Sequence, residues 1–538
     1  MRRISGITLM LICFTTYAGA GHTDSRIINF PSDRSMGMLY VLDANNVDSS
    51  SYNDWQPLSE ATGDVTVPTG KVLRLNLNKD AGDDLSSLSS LEPNDLVMLF
   101  CYGVEIPDDQ LRHISHLTGI QEIYMRNSGI LGTGLKYFKN LKSLKKLRLD
   151  GTHVGDNELA YLSDLSSLES LNLGGTPTSD AGMVHVGKIT SLESLSLSRG
   201  VGDEGLSHIE NLASLRRFFA GSQATSDDGL AHLANMSQME WLDLRDTQVS
   251  DEGLVHLKKM KKLKSLFLYK TRVTEKGFVH LKVHQNLELL EVHIPVTDVG
   301  LVHLSNLSSL KRVRINCDKV TSRGLKALSK MKSLEEVLVR GETGTDEIAV
   351  KLASLPGLKI LTFGESLTDA GLIQLQNMQS LQELRLYRSQ ITSKGMAVLT
   401  KLPSLRRLSL DDMNFSSDAY WEILGELTSM QVLELDDIQS EITDAHIAHL
   451  TGLSSLKRLN ISPDTKQPLN ITNIALKHIS NLKSLERLTL HGAKITDEGL
   501  QQLGNLDSLK WMDLQGCKVT ETGLLQLRKK IPALEWYL

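Results

Sequence analysis

The chain has 538 residues, of which 41% are apolar and 23% charged, a balance ordinary for a soluble protein. A formal net charge of −6 over that length favours neither nucleic acid nor an anionic membrane as a bulk electrostatic partner. Its 4 cysteines are too few and too far apart for a disulfide framework, and with only 5% aromatic residues the packing falls to leucine.

The first residues read as a secretory signal. Met1-Arg2-Arg3 is a basic start, Ile4 to Tyr17 is mostly apolar, and Ala18-Gly19-Ala20 has the A-x-A form of a cleavage site. The expected signal peptide is 1–20, cleaved before Gly21, which places the mature chain outside the cell or in a periplasm. Cleavage removes Cys13 and leaves Cys101, Cys317 and Cys517, an odd number. Cys101 takes an inward strand position and Cys517 a turn position, so both are expected to be buried small side chains rather than reactive thiols. No later run approaches membrane-spanning length.

Residues 21–70 lack the pattern that fills the rest of the chain. Met38-Tyr40-Leu42 and Val65-Val67 alternate, with Gly and Pro at the breaks, which predicts short strands joined by turns. A small β-rich N-terminal cap over the first repeat is the economical reading. The alternative is a carbohydrate-binding module with Trp55 as its only Trp.

From Lys71 to Leu538 one unit recurs, seen in MEWLDLRDTQVSDEGLVHLKKM (239–260). Met239, Leu242 and Leu244 follow L-x-x-L-x-L, so they point inward on a short strand. Thr247 closes the turn, Ser250 caps a helix, and Leu254 and Leu257 turn the apolar side of that helix back toward the strand. Such a unit has two apolar surfaces and too little chain to bury both alone, so it must stack on copies of itself. The first position falls at Val72, Leu96, Ile120, Leu144, Leu168, Leu192, Leu215, Met239, Leu263, Leu287, Leu310, Leu334, Leu358, Leu381, Leu405, Met430, Leu456, Leu485, Leu509 and Leu534. Nearly all steps are 23 or 24 residues, and the step to Leu485 takes up the insertion SPDTKQPLNITN as a surface loop.

A second signature opens each helix: SDEGLVHL, TDVGLVHL, TDAGLIQL, TDEGLQQL. Thr or Ser offers an oxygen to free amides, and the following Asp favours the positive end of the helix. Gly at a fixed place (Gly205, Gly229, Gly253, Gly277, Gly300, Gly324, Gly371, Gly395, Gly499, Gly523) marks a close approach to the neighbouring turn, because Gly is otherwise a poor helix residue.

These residues resemble the leucine-rich repeat family over Lys71 to Leu538, and the pattern is similar to the cysteine-containing subtype of F-box-type receptors. Thr152, Thr176, Thr247 and Thr271 stand where that subtype has Cys, and Cys517 alone keeps it. The resemblance implies an α/β solenoid of about 20 repeats, a curved horseshoe with parallel strands on the concave face and short helices on the convex face, that recognises other proteins. An intracellular F-box-like receptor role conflicts with the export signal. About 20 strands at roughly 4.8 Å spacing would give a ribbon on the order of 90 Å long. No polar C-terminal cap follows the last strand motif, so the expectation is either that Trp536, Tyr537 and Leu538 close that end themselves or that the open edge is a weak point or a contact.

Strand residues between the inward positions must face the other way. They give an aromatic zone of Phe219, Trp241, Phe267 and Tyr269 with Asp243, Arg245 and Asp246 among them. An arginine zone follows at Arg312, Arg314, Arg340, Arg385, Tyr387, Arg388 and Arg407. The sign then reverses at Asp411, Asp412, Glu434, Asp436 and Asp437. Aromatics and Arg are the types enriched at interface hot spots, and a graded charge suits a large protein ligand. The competing reading has the rings covering one another and the charges pairing into ladders.

His185, His208, His232, His256, His280 and His303 recur in register on the helices. One His per repeat does not bring several ligands onto one ion, so no metal and no cofactor is expected. Neither G-x-S-x-G, H-E-x-x-H nor G-x-x-x-x-G-K-[ST] occurs, and no catalytic residue is assigned. Trp421 replaces a helix Leu, and the triplets at Asn235, Asn306, Asn414 and Asn470 are glycosylation acceptors only in a glycosylating host. The sequence therefore predicts an exported, non-enzymatic scaffold that binds a protein on its strand face. A structural envelope spacer and a cell-wall glycan-binding protein are the alternatives.

Overall fold

The computed structural model describes residues 25–49, 54–340, 345–415, 417–463 and 469–538. The expected signal peptide and residues 464–468 of the insertion lie outside the described residues, as do the side chains of Arg314 and Arg340. The chain forms two compact units: one ends at Val154 and also takes Asp164–Leu168, and the other takes Gly155–Ser163 and Glu169–Leu538.

In the larger unit the repeat at 239–260 folds as its spacing dictates. Met239, Leu242 and Leu244 are fully buried, and Trp241–Asp243 is the strand. The chain then turns sharply at Asp246 (φ 60°), and the Thr247 hydroxyl donates to Leu244 O at 2.7 Å. The helical segment Gly253–Lys259 buries Leu254 and Leu257 against the strand's inner side. Every expected first position from Leu96 to Leu534 is at most 2% exposed, each worth about 1.5–3 kcal/mol of removal from water. The strands run from Ser170–Asn172 to Glu535–Tyr537, each paired in parallel with the next. This is the leucine-rich-repeat solenoid. Some of the expected α-helices are 3₁₀ instead, as at Gly253–Lys259.

In the smaller unit, Gly37–Asp43 lies antiparallel between Gln56–Glu60 and Lys71–Leu77, and Lys71–Leu77 begins the parallel ribbon by pairing with Leu96–Phe100. Arg26–Asn29 and Asp64–Val67 form a separate antiparallel pair. The first repeat departs from its expected register. A bulge pairs Leu73 with Leu96, so Leu73 fills the core position expected for Val72, and Val72 packs instead beside Leu42, Trp55, Val97 and Met98. Trp55 is buried there, so it offers no open ring for a sugar. Arg74, only 2% exposed, has its guanidinium 3.9 Å from the Tyr40 ring centroid and 5.5 Å from those of Trp55 and Phe100.

Neighbouring repeats are joined by a ladder outside the core. The acid that opens most of the helices reaches forward to the next repeat: Asp227 accepts from Ser250 N at 2.7 Å and Ser250 Oγ at 2.6 Å. The same pair of bonds recurs from Asp203 to Ser226, Asp251 to Thr274, Glu275 to Thr297, Asp346 to Thr368, Asp369 to Thr392 and Asp497 to Thr520. The capping oxygen expected of Thr or Ser is also present, since Thr274 and Thr368 accept from the amide two residues on. The carboxylate thus satisfies amides that a short helix leaves unpaired, and charge-assisted bonds of this kind are stronger than neutral ones.

Candidate ligand-binding face

The parallel register turns the outward residues into continuous rows. One row runs Arg217, Trp241, Ser265, Leu289, Arg312, Glu336. Beside it runs Phe219, Asp243, Phe267, Glu291. Farther along, Tyr387, Asp411, Asp436 and Ser462 are cross-strand neighbours, next to a row of Arg385, Ser409, Glu434 and Asn460.

The aromatic residues are brought together as the alternation requires, and they shield one another. The Trp241 and Phe267 ring centroids are 4.7 Å apart, and Phe219 lies 6.4 Å from Trp241. Phe267 is only 7% exposed, whereas Trp241 and Phe219 remain half-buried. Asp243, expected on the open face, is buried because the Arg245 guanidinium grips both its oxygens at 2.9 and 3.0 Å and lies 5.3 Å from the Phe267 centroid. Tyr269 is half-buried, with Lys270 Nζ 5.2 Å from its ring. Beyond the rings lies a hollow of about 100 Å³ lined by Leu289, Leu290, Glu291, Arg312, Val313 and Glu336. Leu289 and Glu291 were absent from the sequence-based site; they show the alternation signal but carry neither Arg nor an aromatic ring.

The arginine zone is largely neutralised by neighbours. Arg385 meets Glu383 at 2.6 Å, and Arg407 reaches Glu434 at 2.9 Å and Glu383 at 3.4 Å. Arg312 stands 3.6 Å from Glu336, and Arg388 pairs with Asp412. Glu383, which joins two arginines, was missed by a reading that sought basic residues there. Asp246, Arg388 and Asp412 are turn residues with φ of 60°, 49° and 53°, so they sit at the strand ends instead of on the strand face proper, and Asp437 (φ 52°) is the bulged residue inside the strand Val432–Ile438. Tyr387 is exposed, its ring 4.9 Å from the Arg388 guanidinium.

The acidic zone differs. Asp411 and Asp436 face each other directly across neighbouring strands. Asp411 accepts from Ser409 Oγ at 3.2 Å and Asp436 from Asn460 Nδ2 at 2.8 Å, and among the described residues neither has a cation at ion-pair distance. Burial, followed by the charges of Asp411 and Glu434, pushes the Asp436 carboxyl up to about 6. Burial likewise raises Asp411. Like charges placed opposite one another destabilise a sheet, and unneutralised, partly buried acids of this kind cluster at functional sites.

The helix-side residues take quieter roles. His232 stands 3.5 Å from Glu210, and among the described residues no group of three or more His, Cys, Asp or Glu could hold a metal ion. Trp421 fills its helix-Leu place fully buried. Cys101 is buried as expected; Cys517 is half-buried, its thiol donating to Leu490 O at 3.0 Å. No described helix is long and apolar enough to cross a membrane.

No family model and no curated protein matches the chain at a significant level. Among solved structures it is similar to a plant peptide hormone receptor, RGFR1 in complex with RGF2, at 14% identity over 85% of this chain and 83% of that one, with a TM-score of 0.36. It is also similar to the leucine-rich repeat protein LIC12759 of Leptospira interrogans, at 18% identity over 76% and 98%, with a TM-score of 0.37. An internalin, inlF, of Listeria monocytogenes gives 19% identity over 71% and 88%, with a TM-score of 0.31. Similarity at this level leaves the ligand of this chain to be argued from its own residues.

Proposed function

We propose that the protein is an exported recognition scaffold whose strand face binds a protein ligand, with a basic segment of that ligand seated against Asp411 and Asp436. The observation that carries the reading is this cross-strand pair, half-buried and without a cation at ion-pair distance among the described residues. A Lys or Arg side chain placed between the two carboxylates would relieve their repulsion, a gain available only when the ligand is present. The ring cluster around Trp241 supplies an apolar contact farther along the same ribbon, and Trp is among the residues most often dominant at interfaces. The intervening Arg–Glu pairs, being already matched, set register and exclude wrong partners more than they add affinity. Residues 1–20 act as the signal peptide and 21–70 as the cap of the ribbon in this reading.

Titrating an oligolysine peptide into the full chain tests the acidic end. Saturable binding that weakens at high salt and is reduced at least tenfold by Asp411→Asn with Asp436→Asn is the expected result. Equal binding by the double variant would place the basic contact elsewhere.

A further inference from the structure

Three repeats near the end of the ribbon bring together residues that no linear motif connects. Ser462 is the penultimate residue of the strand Arg458–Pro463, His491 directly follows Arg487–Leu490, and Asp513 ends Trp511–Asp513. Register brings Ser462 level with His491, one step beyond the Ile461–Leu490 pair, while Asp513 pairs with Thr489 and so sits diagonally beside His491. Ser462 Oγ lies 2.8 Å from His491 Nδ1, and His491 Nε2 lies 3.1 Å from Asp513 Oδ1. Asp513 Oδ1 is itself held by the Gln515 amide at 3.2 Å. The His491 side chain is 32% exposed and that of Asp513 16%.

A neutral His491 ring with its proton on Nε2, the nitrogen that faces Asp513, leaves the Nδ1 lone pair to accept from the Ser462 hydroxyl. The buried Nε2 lies 3.1 Å from Asp513 Oδ1 without the alignment of a formed hydrogen bond. Such contacts commonly tighten only when a reacting group is bound. Hydroxyl, imidazole and carboxylate in this order are the parts of an activated serine, recognised by geometry and not by sequence order.

We propose that Ser462 is a nucleophile toward acyl and phosphonyl electrophiles, with His491 as its general base and Asp513 as the positioning residue. With a carboxylic ester, a bond forms between Ser462 Oγ and the carbonyl carbon while the hydroxyl proton passes to His491 Nδ1. The ester C–O bond then breaks, the alkoxide takes that proton and leaves as the alcohol, and water releases the acid by the same steps in reverse. The ester belongs to a ligand lying along the strand face, on which these three residues stand.

Incubating the full chain with a fluorophosphonate probe, followed by peptide mass spectrometry, tests this directly. Native protein should carry the adduct on Ser462. Ser462→Ala should abolish that adduct, His491→Ala should slow labelling at least tenfold, and Asp513→Asn should slow it several-fold, with circular dichroism confirming each fold. Labelling of Ser462 no faster in native than in urea-unfolded chain, or unaffected by His491→Ala, would overturn the proposal.

Discussion

A Cβ atom added at Gly253 would lie 2.2 Å from Oδ1 of Asp227, the carboxylate of the preceding repeat that binds Ser250. The same relation links Gly229 to Asp203 and Gly395 to Asp369, each at 2.2 Å. The glycine leaves room for the acid to enter. Where the acid is replaced by Ser322 or Ser393, the glycine place one repeat later holds Ile348 or Tyr420, whereas Ala475 fills that place opposite Asp444 and His446 fills it opposite Asp418. Gly253→Ala is expected to cost about 1–3 kcal/mol by overpacking. Adding Asp227→Ser should return part of that loss, giving a coupling of about 0.5–3 kcal/mol in a denaturant-unfolding double-mutant cycle. Strict additivity would show that the two residues are independent.

His284 stands in the repeat place that Met260 fills one unit earlier, and it is fully buried. Its Nδ1 lies 3.1 Å from Met260 O while its buried Nε2 has no hydrogen-bond partner among the described residues. Burial holds its pKa below the ordinary 6.5. The unfolded chain therefore takes up a proton that the folded chain resists, so the contribution is intact above pH 6.5 and is lost as pH falls below it. His284→Met should flatten the acid limb of a stability-against-pH curve measured from pH 8 to 5. An unchanged limb would rule His284 out as its source.

The sign is opposite at Asp436. Its carboxyl is raised from 3.8 to about 6, so the folded chain binds the proton more readily and gains stability as pH falls through that interval. At neutral pH the charge is a cost. After allowance for solvent screening, Asp436→Asn should stabilise the protein by about 1 kcal/mol at pH 7, and by less at pH 4. Chemical denaturation at the two pH values checks this, and destabilisation at pH 7 would mean that the carboxylate is already compensated.

Lys270 adopts φ 55° at the turn where Gly151 and Gly175 stand in earlier repeats. A side chain there meets the carbonyl crowding that glycine avoids. Lys270→Gly is expected to raise stability by about 0.5–1 kcal/mol, readable as an upward shift in the thermal midpoint, since among the described residues the ion pair lost is the 3.5 Å contact to half-buried Asp246. A lowered midpoint would show that the lysine contributes more than its turn costs.

The fold was legible because Leu263, Leu287 and their counterparts repeat at a spacing that only stacked strands can bury. The glycines were also read correctly as points of close approach. The acid that requires them lies in the preceding repeat, and no single repeat displays it. Alternation placed Trp241, Phe267 and Asp411 on one face but said nothing of what covers them; ring contacts bury Phe267 and Arg245 buries Asp243. Asp246 and Arg388 were taken for strand-face groups because a left-handed turn has no period of its own. Ser462, His491 and Asp513 escaped notice because their grouping depends on the register of three strands.

The central claim is that the outward strand face, and its acidic stretch above all, recognises a protein. Panning a random peptide display library on the full chain measures this without knowing the ligand. The expected result is enrichment of Lys- and Arg-bearing peptides whose capture is lost when Asp411→Asn and Asp436→Asn are combined, and kept in a helix-side variant such as Val255→Ser. Enriched peptides that bind the double Asn variant as well as the native chain, or no enrichment at all, would contradict the account.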